Sequence, residues 1–340
     1  MIFWPESLLK GDSNLLARAA AASDCPKLAG CSRSAIQHLA QREGIDFATA
    51  LIFDRVLRQP ANRDFFERMQ CQPEVRRGEP PLIGLVPGAF YREHNNTGAD
   101  GAEVTKILEA IGCRVERVPV ASFGSLAENA KTISNWLSLH HRERVALFSL
   151  SKGSADVKAA LTLSDAGERF QNVAAWVSVS GLPQGTPLVG WLRQQMLRRL
   201  GVRLLLWSRG QRYSVVEELR DEPDGPLASW PTLPPHLRIC HVVSFSLQHH
   251  LTHRWAPRAY ERVKSLGPND GGGFLLADVA TLPGVVVPVW GADHYLQPAW
   301  DVASLLRRVF TAALSPPTKD FQANQSAAQP NNPPASKSTA

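Results

Sequence analysis

Between residues 80 and 315 the chain alternates short, mostly apolar runs with segments of helical period. The runs are 82–86, ended by Pro87 and Gly88, then 145–150, 173–179, 239–245 and 285–290. An apolar run of this length between turn signals is the pattern of a strand buried on both faces. Residues 114–120 alternate apolar and polar, as a half-buried strand does. Residues 102–111, 126–139, 156–163 and 300–314 carry helical spacing instead. Strands alternating with helices predict an α/β fold, a mainly parallel sheet with helices on both faces.

The flanks read differently. Residues 1–75 form a helical N-terminal extension: 17–22 is alanine-rich, 46–57 places Phe47/Leu51 and Ile52/Val56 four apart, and a Pro60-Ala61-Asn62 turn precedes a helix at 64–70. Residues 80–315 are the α/β domain, with a helical cap inserted at about 185–235. Residues 316–340 are mostly Pro, Asn, Gln, Ser and Ala, the composition of a disordered tail. Within the cap, 188–207 mixes Trp191, Leu192, Met196, Leu197, Leu200 and Leu204 with Arg193, Arg198, Arg199 and Arg203. The arginines exclude a bilayer span. The segment suits a lid with an apolar underside, or equally a helix packed on the core. A basic amphipathic helix also suits weak contact with an anionic membrane surface.

Composition changes this picture little. With 340 residues, 44% of them hydrophobic, the chain can bury a large core. The net charge is +6, which raises the question of nucleic acid. The basic residues are scattered singly or in pairs, without a run of five or six like charges, so the sequence points to no nucleic-acid partner. The five cysteines are odd in number and include no C-x-x-C pair, which suits a reducing, cytoplasmic setting. No basic stretch leading into a long apolar one opens the chain, so a secretory leader is not expected. Without a leader, the Asn95-Asn96-Thr97 sequon reads as a chance match.

The candidate chemistry begins where the 145–150 run enters Ser149-Leu150-Ser151-Lys152-Gly153. This is a G-x-S-x-G nucleophile elbow with serine in the first glycine position. A sharp strand-to-helix turn needs small residues two before and two after the nucleophile, and it lifts Ser151 above the sheet at a helix N-terminus. The second signal is Gly291-Ala292-Asp293-His294, where a histidine follows the last strand on a short loop. Such a base is tethered to a rigid element yet free to face the nucleophile. The third is Asp270, in the turn-rich 267–271 stretch, an acid that would orient the imidazole. Asp278 and Asp293 are rivals for that role, Asp278 in a more helix-like stretch and Asp293 better placed to cap a turn. Two backbone amides, Ala89 after the 82–86 strand and Lys152 after the nucleophile, are the candidate oxyanion donors, with Gly88 allowing close approach. His249 and His253 have i, i+4 spacing but no acid between them, so no metal site is expected.

Together, PGAF at 87–90, S-x-S-K-G at 149–153, N-D-G at 269–271 and G-A-D-H at 291–294 resemble the α/β-hydrolase superfamily over about residues 80–315. The Gly-Thr-Pro at 185–187 is similar to a stretch of its lipase-like members. The resemblance implies a chain order of Ser151 as nucleophile, Asp270 as acid and His294 as base, with Ala89 and Lys152 as oxyanion donors. It implies hydrolysis of a carboxylic ester with a hydrophobic acyl part, the substrate being a small molecule or lipid, and needs no metal or organic cofactor. A thioesterase on an acyl carrier, or a non-catalytic binding or membrane-associating protein keeping the fold, remain as alternatives. Departures from the family pattern are Ser149 for glycine and Pro87 for the usual histidine before Gly88.

Overall fold

The computed structural model of the protein describes residues 11–70, 80–94, 97–297 and 301–315. The expected 316–340 tail and the sequon's Asn95 and Asn96 lie outside them. Four helices come first: α1 (Ser13–Ala21), α2 (Arg33–Glu43), α3 (Ile45–Arg58) and α4 (Pro60–Gln70). Then follow β1 (Leu82–Val86), α5 (Ala102–Glu109), β2 (Val115–Arg117), α6 (Leu126–Leu139), β3 (Val145–Leu150), α7 (Lys152–Ala160) and β4 (Val173–Val179). The cap contributes α8 (Leu188–Gln194) and α9 (Met196–Ser208). The chain closes with β5 (Arg238–Phe245), α10 (Ala256–Val263), β6 (Val285–Trp290) and α11 (Val302–Leu314).

The six strands form one sheet in the order β2-β1-β3-β4-β5-β6, with every pair parallel. The fold is therefore α/β, an all-parallel sheet with helices on both faces. Side chains alternate faces along each strand, and each face is covered. Ile83, Phe148, Val242 and Val287 face α4, α5 and α11. Leu82, Leu147 and Trp176 face α6 and α7. Gly84 makes room on that side, because a Cβ there would meet the Trp136 ring at 2.7 Å. β2 is shorter than the 114–120 alternation suggests, and it lies at the sheet's edge.

Residues 11–70 share a core with the sheet. Phe53 of α3 packs on Phe245 at 5.6 Å and on Trp290 at 4.8 Å between ring centroids. The backbone N–H of Val286, on edge strand β6, donates to Asn62 Oδ1 at 2.8 Å, which closes part of an otherwise open edge. The Trp290 indole N–H donates to Asp12 Oδ2 at 2.9 Å. Buried Arg55 donates to the carbonyls of Ala22, Asp24 and Cys25, so the turn after α1 is tied to α3.

Candidate active site

All strands point the same way, so the loops after β1, β3, β4, β5 and β6 gather at one end of the sheet. Ser151 stands there between β3 and α7 with φ 46° and ψ −118°. A non-glycine residue in that region is strained and must be held. Its N–H donates to Val179 O at 3.1 Å, and its carbonyl accepts from Ser154 N at 3.0 Å and Leu182 N at 3.1 Å. Gly153 cannot carry a side chain: a Cβ would lie 2.6 Å from the carbonyl oxygens of both Val86 and Pro87.

The serine at the elbow's first small position is accommodated by its hydroxyl. Ser149 is fully buried, and its Oγ accepts from the Trp176 indole at 2.8 Å. The same Oγ lies 2.9 Å from Ser154 Oγ, which in turn lies 2.8 Å from Ser178 Oγ. A buried hydroxyl costs little once it is paired in this way.

His294, on the loop after β6, is 8% exposed. Its Nε2 is 3.1 Å from Ser151 Oγ and its Nδ1 is 2.6 Å from Asp270 Oδ2. The other carboxylate oxygen of Asp270 accepts from Gly272 N at 2.8 Å and Phe274 N at 3.0 Å. An ionised carboxylate only accepts, so Nδ1 carries the proton and Nε2 presents a lone pair to the serine hydroxyl. A backbone bond from His294 N to Asp270 O, at 2.7 Å, ties the two loops together. Burial disfavours the imidazolium, but the carboxylates of Asp270 and Asp293 outweigh it and hold the histidine above its ordinary value.

The rival acids do other work. Asp278 is paired with Arg33, whose Nε and Nη2 lie 2.5 and 2.6 Å from its two oxygens. Burial raises it to about 6 even so. Asp293 is fully buried and accepts four backbone N–H groups, from Thr252, His253, Tyr295 and Gln297, at 2.9–3.2 Å. It braces the histidine loop against the loop after β5.

Ala89 lies in the loop directly after β1. The preceding Gly88 N–H is already spent on Ala99 O at 2.8 Å, and a Cβ on Gly88 would sit 3.4 Å from Ser151 Cβ. The loop therefore passes against Ser151, and Ala89 carries its next amide. Lys152 opens α7, where an amide has no intrahelical carbonyl to meet. Its buried side chain turns away to Asp156, with Nζ 2.6 Å from Oδ1.

Two features of this geometry escaped the sequence reading. One is Gly272, whose backbone lies against the His294 ring; a Cβ there would fall 1.9 Å from Cγ. The run Gly271-Gly272-Gly273 after Asp270 is the signal that could have drawn attention to it. The other is the hydroxyl network beneath Ser151, for which no local pattern exists.

Asp12, His249 and His250 place ligand-type atoms within 4.8 Å of one another. His250 Nδ1, however, accepts the Leu247 N–H at 3.0 Å, so in the neutral ring Nε2, 3.1 Å from Asp12 Oδ2, carries the proton and offers no lone pair to a metal. That leaves two ligands, and the cluster reads as a clasp for the start of the chain. His253, the i+4 partner of His249, instead stacks on Tyr295 at 3.7 Å.

No family model matches the chain, and no curated protein matches it. Among solved structures, the chain is similar to a metagenomic carboxyl esterase, MGS0156, with 16% identity over 73% of this chain and 75% of that one and a TM-score of 0.44. It is similar to a mature lipase of Bacillus licheniformis, BlEst2, with 15% identity over 65% and 86% and a TM-score of 0.46. It is also similar to the NocB thioesterase domain, with 18% identity over 70% and 96% and a TM-score of 0.33.

Proposed function

We propose that the protein is a serine hydrolase acting on carboxylic esters, with Ser151 as nucleophile, His294 as general base and Asp270 as the orienting acid. The observation that carries this reading is the unbroken chain from Asp270 Oδ2 through His294 to Ser151 Oγ, at 2.6 and 3.1 Å, set on a strained elbow. Strain of this kind persists only where the surroundings enforce it.

In the proposed mechanism His294 Nε2 takes the hydroxyl proton as Ser151 Oγ bonds to the ester carbonyl carbon. The carbonyl electron pair moves onto oxygen, where the Ala89 and Lys152 N–H groups stabilise it. The tetrahedral intermediate collapses, the carbon–alkoxide bond breaks, and His294 returns the proton to the leaving alcohol. Water, deprotonated by the same nitrogen, then releases the acid and restores Ser151. Asp270 stays ionised throughout and balances the imidazolium.

An apolar acyl part is supported by the groups beside the site. Phe90 follows Ala89, is 37% exposed, and meets Phe123 edge-on at 4.5 Å. Leu188, at the start of the cap, packs over Gly273 close to the acid loop. Intact-mass labelling with a fluorophosphonate, on the wild type and on Ser151→Ala, tests the reading. One adduct confined to the wild type is expected, and a folded wild type that takes none overturns it. Turnover of p-nitrophenyl esters of increasing chain length, set beside acyl thioesters, then separates ester from thioester.

A further inference from the structure

Helix α9 turns its apolar side toward solvent. Met196, Leu197, Leu200, Leu204, Leu205 and Trp207 are each between 47% and 82% exposed. At 3.6 residues per turn, all but Leu205 fall within an arc of roughly 100°. The opposite side is already anchored, with Leu206 only 1% exposed. Burial on the protein therefore accounts for one side of this helix and leaves a continuous apolar stripe unexplained.

The charges carried by the helix itself have one sign. No Asp or Glu occurs from residue 188 to 216. Arg198 and Arg203 stand over the rings of Trp191 and Tyr213, each at 4.9 Å. Arg198, Arg199 and Arg203 form no ion pair among the described residues. Arg209, just beyond the helix, reaches Glu93 at 3.6 Å, so this end of the cap is tied to the loop after β1.

We infer that this face docks on an anionic lipid bilayer, with the helix lying in the interface. The leucines and Trp207 enter the acyl boundary, and the arginines extend their stems along it to the headgroup phosphates. No helix among the described residues is long and apolar enough to cross a membrane, and α9 has 13 residues, so it lies on the surface and does not span it. A second copy is a poorer occupant, because a two-fold contact through this stripe would set the arginines of one molecule against those of the other. The inference does not depend on the hydrolase reading.

The test is co-sedimentation of the full-length protein with vesicles of phosphatidylcholine alone or of equimolar phosphatidylcholine and phosphatidylglycerol. Binding to the mixed vesicles is expected, weaker on the neutral ones and falling as salt is raised. Leu200→Ser with Leu204→Ser lowers the partition coefficient by roughly tenfold or more. Arg199→Gln with Arg203→Gln lowers binding to the mixed vesicles roughly tenfold and leaves the neutral ones unchanged. Ser151→Ala sediments like the wild type, which separates this result from any on turnover. Circular dichroism checks that each variant folds. Three outcomes overturn the inference: folded wild type absent from the mixed-vesicle pellet at low salt, pelleting that the leucine pair leaves unchanged, or a dimer that the same pair breaks without any lipid binding.

Discussion

The backbone of Gly272 forms the seat on which the His294 imidazole rests, close enough that a single added methyl would fall 1.9 Å from the ring. Gly272 N–H also donates to Asp270. One residue therefore fixes both the Asp270 carboxylate and the plane of the His294 ring.

Gly272→Ala should displace the imidazole from Ser151 while the sheet stays folded. A misplacement of about 1 Å costs on the order of a hundredfold in rate. The expected result is a loss of that size in kcat for an ester substrate and in fluorophosphonate labelling, with thermal unfolding little changed. Labelling at the wild-type rate would show that the ring does not need this seat.

The pH profile follows from the charge on His294. In the proposed mechanism His294 works only when neutral, and its protonation is favoured beyond the ordinary histidine value of 6.5. The acid limb of kcat/KM should therefore have its midpoint above 6.5. In Asp270→Asn the larger stabilising charge is gone and only Asp293 still opposes burial, so the limb moves downward. Activity falls by roughly 10³- to 10⁴-fold, in line with removal of the acid from other serine triads. A limb that stays in place would mean the acid does not set the titration.

Ser149→Gly moves the elbow toward its usual sequence and should nonetheless destabilise the protein. It removes the acceptor of the buried Trp176 N–H and one neighbour of Ser154. An orphaned buried donor costs about 1–3 kcal/mol. Urea denaturation reads the loss, and catalysis by the residual folded protein should change little. Unchanged or increased stability would show that the hydroxyl network is dispensable.

Two buried histidines make opposite contributions to acid stability. His294 titrates high in the folded state, so its contribution is complete below the unfolded value and fades as pH rises through the folded one. His241 is pushed down to about 3, first by burial and also by the charge of Lys158, against a hydrogen bond with the backbone of Pro283. It contributes above the unfolded value, and that contribution is lost as pH falls from about 6.5 toward 3. His241→Phe should flatten the acid side of the stability curve by up to one proton, about 1.4 kcal/mol per pH unit at most. Chemical denaturation at a series of pH values measures the slope, and an unaltered slope would place the acid sensitivity elsewhere.

The sheet was legible because its strands are buried on both faces. Leu82–Val86, Val145–Leu150, Val173–Val179 and Val285–Trp290 are almost wholly apolar, broken only by small residues and Pro288, and such runs stand out in the sequence. α2 went unread: its residues are mostly polar, and only Ile36 and Leu39 are buried. The elbow and the histidine loop could be found from local spacing. The choice among three aspartates could not, because it turns on partners distant in sequence. Arg33 engages Asp278 from 245 positions away, and Asp293 meets amides about forty positions back. Ring-to-backbone packing such as Gly272 on His294 leaves a trace only in the third glycine of a run.

The clasp between Asp12 and Trp290 joins positions 278 apart, and Asn62 waits for Val286 across 224. On a chain made from its N-terminus, α1 to α4 emerge long before the strand they cover. Their apolar faces meet β5 and β6 only after about two hundred further residues have been made, and contacts of such separation close slowly. The strand that leads into the His294 loop is thus completed by helices made long before it, so the pieces that hold this loop come together late.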